Sequence, residues 1–261
     1  AGYWKIEKWL MRKFCKKIIV QDQETAAYLQ KQGLPAQYLG SWVMDYIKVT
    51  GEDFGIDKQK MVIGMLPGTR EESYDNLLSI LEVYQAISDK YPAKEKLMGL
   101  IASTLKLDKI IGQAAKLGWK FSAAGLADEK RGISGELESG GAKVIITQGK
   151  FADVCVRSKL IIGLAGIANE QAVALGTPVV CFVGRGPQTT LRRWQEIQKI
   201  TGEAMQILSG NPAEIAQQTI ALLNDPARLA TLSRSGRASK PQWGGINKIA
   251  DLSLQSLKEI K

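Results

Sequence analysis

From Lys60 to Leu208, short apolar runs alternate with amphipathic helical patterns, and this alternation restricts the fold more than any other feature. The runs are Lys60–Met65, Leu97–Ala102, Trp119–Ala123, Ala142–Thr147, Leu160–Gly163, Pro178–Val183 and Ala204–Leu208. Most are apolar on both parities, as strands are when helices cover both faces of the sheet. Between them lie helical patterns over Tyr74–Ser88, Leu107–Leu117, Phe151–Val156, Ala168–Leu175 and Gln188–Ile200, with two or three more helices from Pro212 to the chain end. The order predicts an α/β fold with a doubly wound parallel sheet. A chain of 261 residues fits one full domain plus extra elements.

Ahead of this region, residues 3–16 read as an amphipathic helix, with Tyr3, Ile6, Leu10 and Phe14 on one face and a basic stripe of Lys8, Arg12 and Lys16. Its apolar face can pack on its own domain, lie on an anionic membrane surface, or, with charge as the only support, meet nucleic acid. A short strand over Lys17–Gln21 and a helix over Asp22–Gln32 follow, with Asp22 as the N-cap. Residues 46–59 are polar and glycine-containing without a clear period, which reads as a linker.

Composition excludes several chemistries. There is no histidine, so neither Ser-His-Asp nor Cys-His machinery nor a histidine metal site is available. Cys15, Cys155 and Cys181 lack metal-ligand spacing and are expected as buried, reduced thiols in a cytosolic protein. No apolar run reaches transmembrane length and no signal-peptide core is present, so a soluble chain is expected; the absent initiator Met suggests a processed or truncated one. Of the net charge of +9, residues 1–17 hold +5 (six Lys and Arg less Glu7), leaving +4 for the remainder. Basic charge belongs to the N-terminal helix.

In an open parallel sheet, ligands bind outside the carboxyl ends of the strands. Three loops at such ends carry unusual residues. The first is Leu66 to Ser73, where Gly68 permits close backbone approach, Thr69 offers a hydroxyl and Arg70 a cation. It lacks the Gly-Lys-Ser/Thr ending of a Walker loop. The alternative is a plain strand-to-helix turn with Arg70 paired to Glu72 or Asp75. The second runs from Gly163 to Gln171, with Gly166, Asn169, Glu170 and Gln171 at the start of a helix. A carboxylate there can accept two ribose hydroxyls; alternatively it only complements the helix dipole. The third is Gly184 to Thr190, where Gly186 and Pro187 shape the loop and Gln188 and Thr189 can meet sugar hydroxyls or phosphate.

The segment Leu160 to Thr189, with Gly-Ile-Ala-Asn-Glu-Gln-Ala-Val-Ala-Leu-Gly-Thr-Pro-Val-Val and Gly-Arg-Gly-Pro-Gln, resembles the donor domain of GT-B glycosyltransferases. The nearest resemblance is to lipid-A-disaccharide-synthase-related proteins of cyanobacterial type. Leu66-Pro67-Gly68-Thr69-Arg70, Val20-Gln21-Asp22 with Thr25-Ala26, and Gly40 to Asp45 are similar to further family segments. The resemblance implies two Rossmann-like domains with a nucleotide sugar in their cleft. Residues 1–45 would be a remnant of the N-terminal domain and 60–261 the nucleotide-sugar-binding domain. It further implies Arg70 at phosphate, Phe151 near the base, Gly166 close to the diphosphate and the Glu170–Gln171 pair at the ribose. The spacing to Leu175-Gly176-Thr177-Pro178 favours Gln171 for the ribose, with Glu170 turned aside to an arginine or solvent.

The activity implied is hexosyl transfer from a UDP-sugar-type donor, without metal or cofactor, to a lipid or lipid-linked sugar. Most of the acceptor half is missing from this chain. A partner could supply it, and the chain would then be a non-catalytic nucleotide-sugar-binding subunit of a split transferase. No catalytic residue is assigned; Asp45, Glu71 and Glu72 are the carboxylates available as a base. A cytoplasmic location is expected, peripheral to the membrane if the basic helix meets lipid.

Overall fold

The computed structural model describes residues 3–238 and 244–258. The chain divides into two units, one formed by residues up to Ile47 with the stretch from 240 onward, the other by Lys48 to 239.

The first unit opens with α1 (Lys5–Phe14), β1 (Ile18–Ile19), α2 (Gln23–Gln30) and β2 (Ala36–Gln37). β1 and β2 pair in parallel, Ile18 opposite Ala36. Asp22 caps α2 as its position predicts, accepting from the Thr25 backbone N–H at 2.7 Å and the Thr25 hydroxyl at 2.8 Å. A small core of Leu29, Leu34 and Ala36 takes in Tyr3, Met11, Ile18 and Val20 at its margin. No residue of α1 is buried, and Trp4, Ile6, Trp9, Leu10 and Phe14 are exposed. Cys15, at the end of this helix, is exposed as well, contrary to the expectation of three buried thiols.

The second unit holds β3 (Met61–Leu66), α3 (Ser73–Lys90), β4 (Leu97–Ala102), α4 (Leu107–Lys116), β5 (Lys120–Ala123), α5 (Leu126–Lys130), β6 (Ile133–Ser139) and β7 (Ala142–Thr147). It continues with α6 (Phe151–Arg157), β8 (Leu160–Gly163), α7 (Gly166–Ala174), β9 (Val179–Cys181), α8 (Leu191–Thr201), β10 (Met205–Ile207), α9 (Pro212–Leu223) and α10 (Pro226–Ala238). The sheet order is β10-β9-β8-β3-β4-β7-β6-β5. All pairs from β10 through β7 are parallel, and β6 and β5 extend the β7 edge as antiparallel strands. Counting only the parallel strands in chain order gives the doubly wound arrangement 3-2-1-4-5-6. β6 is absent from the sequence reading. Its Ile-Ser-Gly-Glu-Leu-Glu-Ser carries apolar side chains only at Ile133 and Leu137, and one face of this edge is open.

The core sits on both faces of the parallel strands. Trp194 is fully buried and donates its indole N–H to the Phe182 carbonyl at 2.7 Å. Tyr84 stacks on Trp119 and donates to the Lys143 carbonyl at 3.0 Å; burial pushes its hydroxyl pKa well above the ordinary value. Burial also raises the Cys181 thiol to about 12, which keeps it protonated and inert.

The stretch that reads as a linker is bonded to the second unit. The buried Asp153 carboxylate on α6 accepts from the backbone N–H groups of Thr50 (2.7 Å), Gly51 (2.8 Å) and Glu52 (3.2 Å), and from the Thr50 hydroxyl (2.9 Å). Glu52 pairs with Arg131 at 2.7 Å, and Phe54 and Ile56 are buried beside Val62 and Val154. Polar composition here serves a capping role that no local period reveals. The last helix, α11 (Gly245–Lys258), falls with the first unit. Asp45 accepts from the Gly244 N–H (2.6 Å) and the Ile246 N–H (2.8 Å) at its start. Those backbone bonds, that from Ile246 foremost, hold the Asp45 carboxyl below its ordinary pKa.

Asp153→Ala is expected to destabilise the second unit by about 2–4 kcal/mol, because it strands several backbone donors. A urea midpoint shifted down at constant slope is the confirming result; an unchanged midpoint contradicts this role for the strap.

Candidate functional site

Crossovers from β3 and β8 leave in opposite directions, so the crevice of the doubly wound sheet opens between the carboxyl ends of these neighbours. The first two loops singled out in the sequence follow these strands, and the third follows β9.

In the first loop, Gly68 has φ +102°, and a Cβ there would lie 2.6 Å from the Ser73 hydroxyl and 3.6 Å from the Leu164 carbonyl. Glycine is therefore required where the first loop meets the second. The Ser73 hydroxyl accepts from the Arg70 backbone N–H at 3.0 Å and fixes the turn. Thr69 and Arg70 are exposed, and the Arg70 guanidinium makes no hydrogen bond or ion pair among the described residues. The pairing with Glu72 or Asp75 does not form. Glu71 instead binds Lys109 at 2.7 Å.

The second loop is tied to β3, with the Leu164 N–H donating to the Leu66 carbonyl at 2.8 Å. Its helix, α7, begins at Gly166, and no side chain caps it. The first intrahelical donor is the Asn169 N–H, to the Ala165 carbonyl at 3.0 Å, which leaves the N–H groups of Gly166, Ile167 and Ala168 outside the helix ladder. Asn169 is fully buried and turns inward, its amide nitrogen donating to the Gly163 carbonyl at 3.0 Å. It holds the loop from below. Glu170 and Gln171 are half-buried in the second turn. Burial raises the Glu170 carboxyl above its ordinary pKa, and the charge of Arg193 on α8 acts against that rise.

The third loop closes over the first. The buried Asn76 of α3 accepts from the Arg185 N–H at 2.6 Å and donates to the Arg185 carbonyl at 3.3 Å. Gly186 has φ +90° and packs against Glu72, where a Cβ would come within 2.6 Å of the carboxylate's methylene. Thr189 is buried, and its hydroxyl donates to the Arg185 carbonyl at 2.6 Å. Gly186, Pro187 and Gln188 form the exposed tip.

Thus the three loops converge, through Gly68 against Leu164, Gly184 against Leu164 and Asn76, and Gly186 against Glu72. Gly68, Thr69, Arg70, Gly166, Gly186, Pro187 and Gln188 line this region, whereas Asn169 and Thr189 work inside it. Phe151 opens α6 after β7, two strands from β3, and these contacts do not include it. Of the carboxylates considered as a base, Asp45 and Glu71 already hold partners. Sequence reasoning missed Asn76. The available signal was a polar residue in helical step with core-facing Ile80 and Tyr84. No group of His, Cys, Asp and Glu suited to a metal ion occurs among the described residues. A cavity of about 280 Å³ lies at the opposite end of the sheet, near Ser158, Gly176 and Arg237. Its Ser158, Thr177 and Ser233 hydroxyls are all donated to backbone carbonyls, so its walls offer little for chemistry.

Solved structures share this architecture. The S. aureus MnaA-UDP co-structure superposes with TM-score 0.63 at 14% identity, covering 97% of this chain and 64% of that one. The fold is GT-B. UDP-GlcNAc 2-epimerase from Neisseria meningitidis bound to UDP-GlcNAc gives TM-score 0.56 at 17% identity, covering 92% and 61% of the respective chains. WaaG, a glycosyltransferase involved in lipopolysaccharide biosynthesis, gives 0.50 at 12% identity, covering 85% and 57%. No protein-family model matches the chain. In sequence, it is similar to lipid-A-disaccharide synthases of Geobacter sulfurreducens (24% identity) and Geobacter metallireducens (22%), each over 169 residues. Those matches cover 62% of this chain, which spans 38% of the length of these relatives. The resemblance to GT-B glycosyltransferases read from the motifs is thus supported; its cyanobacterial refinement is not.

Asn169→Ala removes one buried hydrogen bond beneath the second loop and is expected to cost about 1–2 kcal/mol. In a unit of this size the melting temperature should fall by roughly 2–8 °C. An unchanged melting temperature would show that Asn169 does not hold the loop.

Proposed function

We propose that the second unit binds a nucleotide-sugar donor at the three converging loops and serves as the donor half of a hexosyltransferase similar to lipid-A-disaccharide synthase. The observation that carries this reading is Arg70, without a hydrogen-bond or ion-pair partner among the described residues, on the loop that meets the loop opening α7 through Gly68 and Leu164, at the switch point of the sheet. Helix N–H groups and a guanidinium stabilise a diphosphate without a metal, because both present fixed positive charge to anionic oxygens. In the transfer step, a hydroxyl of the acceptor attacks the anomeric carbon and the bond to the nucleoside diphosphate breaks. Charge grows on the departing phosphate, where these groups act. The Glu170–Gln171 pair is assigned to the ribose, with Gln171 in contact and Glu170 turned toward Arg193. Phe151 is assigned to the neighbourhood of the base.

The acceptor is proposed to be a lipid or lipid-linked sugar. The exposed apolar side chains of α1 and its Lys5, Lys8, Arg12 and Lys13 favour contact with an anionic membrane surface, since bilayer insertion and charge attraction act on the same helix. Among the described residues no helix is long and apolar enough to cross a membrane. A non-catalytic donor-binding subunit, completed by a partner, makes the same use of these loops but gives no turnover alone.

UDP at a concentration about 100 times its dissociation constant is expected to add roughly 2.7 kcal/mol of stability, read as a rise in melting temperature. Arg70→Ala should remove most of that gain for UDP and little for uridine. No shift with any nucleoside diphosphate at millimolar concentration contradicts the donor site. Vesicles containing anionic lipid should sediment the chain, and Trp9→Ala with Phe14→Ala should abolish this; sedimentation unaffected by either change contradicts the membrane reading.

A further inference from the structure

The five arginines Arg131, Arg157, Arg192, Arg193 and Arg228 of the second unit each hold a carboxylate or carbonyl oxygen. Arg70 and Arg185 differ. Both are exposed at the carboxyl end of the sheet, and neither guanidinium has a hydrogen-bond or ion-pair partner among the described residues. Arg237, likewise without such a partner among the described residues, lies at the opposite end against Gly176.

The backbone of Arg185 is held unusually firmly for an exposed loop. Its N–H is bound by the Asn76 amide oxygen at 2.6 Å, and its carbonyl accepts from the Thr189 hydroxyl at 2.6 Å and the Asn76 nitrogen at 3.3 Å. Both main-chain polar groups are thereby used internally, and only the side chain remains to meet a ligand. Flanking Gly184 and Gly186 allow the loop to press onto Asn76 and Glu72, which leaves no room for a Cβ at either position. Glu72 stands two residues from Arg70, so this contact brings the third loop to the first. Glu71, the carboxylate adjacent to Arg70, is drawn away by Lys109 at 2.7 Å. Two arginines therefore converge on one region without a carboxylate bonded to either.

We propose that Arg185 is a second anion-reading side chain of this site, that Asn76 is its positioning residue, and that Arg70 and Arg185 together select a donor carrying two linked phosphates. The proposal rests on the nucleotide-donor reading above and adds to it the side chains that distinguish a diphosphate from a monophosphate. A guanidinium fork matches phosphate oxygens and its charge-assisted bonds are stronger than neutral ones. One phosphate satisfies one such fork; a nucleoside diphosphate satisfies both, whereas a donor activated as a nucleoside monophosphate leaves one arginine unused.

Calorimetry of the full chain with UDP, UMP and uridine tests this. Arg185→Ala should weaken UDP by roughly ten- to a hundredfold, UMP by far less and uridine not at all. Asn76→Ala should also lower the ratio of UDP to UMP affinity, although Asn76 touches no ligand. Arg192→Ala, in a neighbouring surface ion pair, should match the unaltered chain. If Arg185→Ala keeps the UDP-to-UMP ratio while Arg70→Ala lowers it, the second-arginine proposal is overturned and the donor reading stands. If the unaltered chain binds no nucleotide, both fail. Arg185 is exposed, so the decisive variant does not depend on a risk to folding.

Discussion

A parallel sheet covered on both faces has a place where consecutive crossovers leave in opposite directions, and here it lies between β3 and β8. That constraint governs the rest. The in-register pairing of Leu66 with Gly163 ends both strands at the same level. Their loops then emerge side by side, and a helix N-terminus faces the gap. Everything that gives the region chemical character follows from fitting three loops into this space: glycine at 68, 184 and 186, Asn169 beneath and Asn76 behind.

Three carboxylates near the region are occupied or turned away: Glu71 by Lys109, Glu196 by Arg192 and Arg193, and Glu170 by burial beside Arg193, whereas Glu72 packs against Gly186 between the first and third loops. Exposed ion pairs of this kind contribute little to stability. Their effect here is to reduce the negative charge that faces the exposed guanidinium groups and helix N–H groups at the strand ends, where an anion gains most.

Strands buried on both faces were legible in the sequence because their apolar runs need no partner to be recognised. All seven predicted runs became strands of the main sheet within a residue or two, Trp119–Ala123 as the edge strand β5 beginning at Lys120. β6 escaped because an edge strand with one open face tolerates Glu136, Glu138 and Ser139. The Gly140-Gly141 turn, with φ +57° and +84°, was its legible signal, since the type I′ two-residue hairpin turn requires positive φ at both positions. The loops themselves were legible through glycine and arginine at strand ends. Their fastening was not: Asn76 and Arg185 are 109 residues apart, Thr50 and Asp153 103, and no local pattern announces such pairs. For the same reason the sequence does not show that Asn169, through its amide nitrogen, and Thr189, through its hydroxyl, bond the loop backbone, while the buried Asn169 Oδ1 has no hydrogen-bond partner among the described residues.

Amide hydrogen exchange with and without UDP reports where the ligand acts along the chain. Slowed exchange is expected at Gly166, Ile167 and Ala168, together with residues 68–73 and 184–190, and no change around Gly176 and Ser233 at the other end of the sheet. Protection confined to that other end, or UDP binding that leaves the α7 N-terminus unprotected, would contradict a donor site at the three loops.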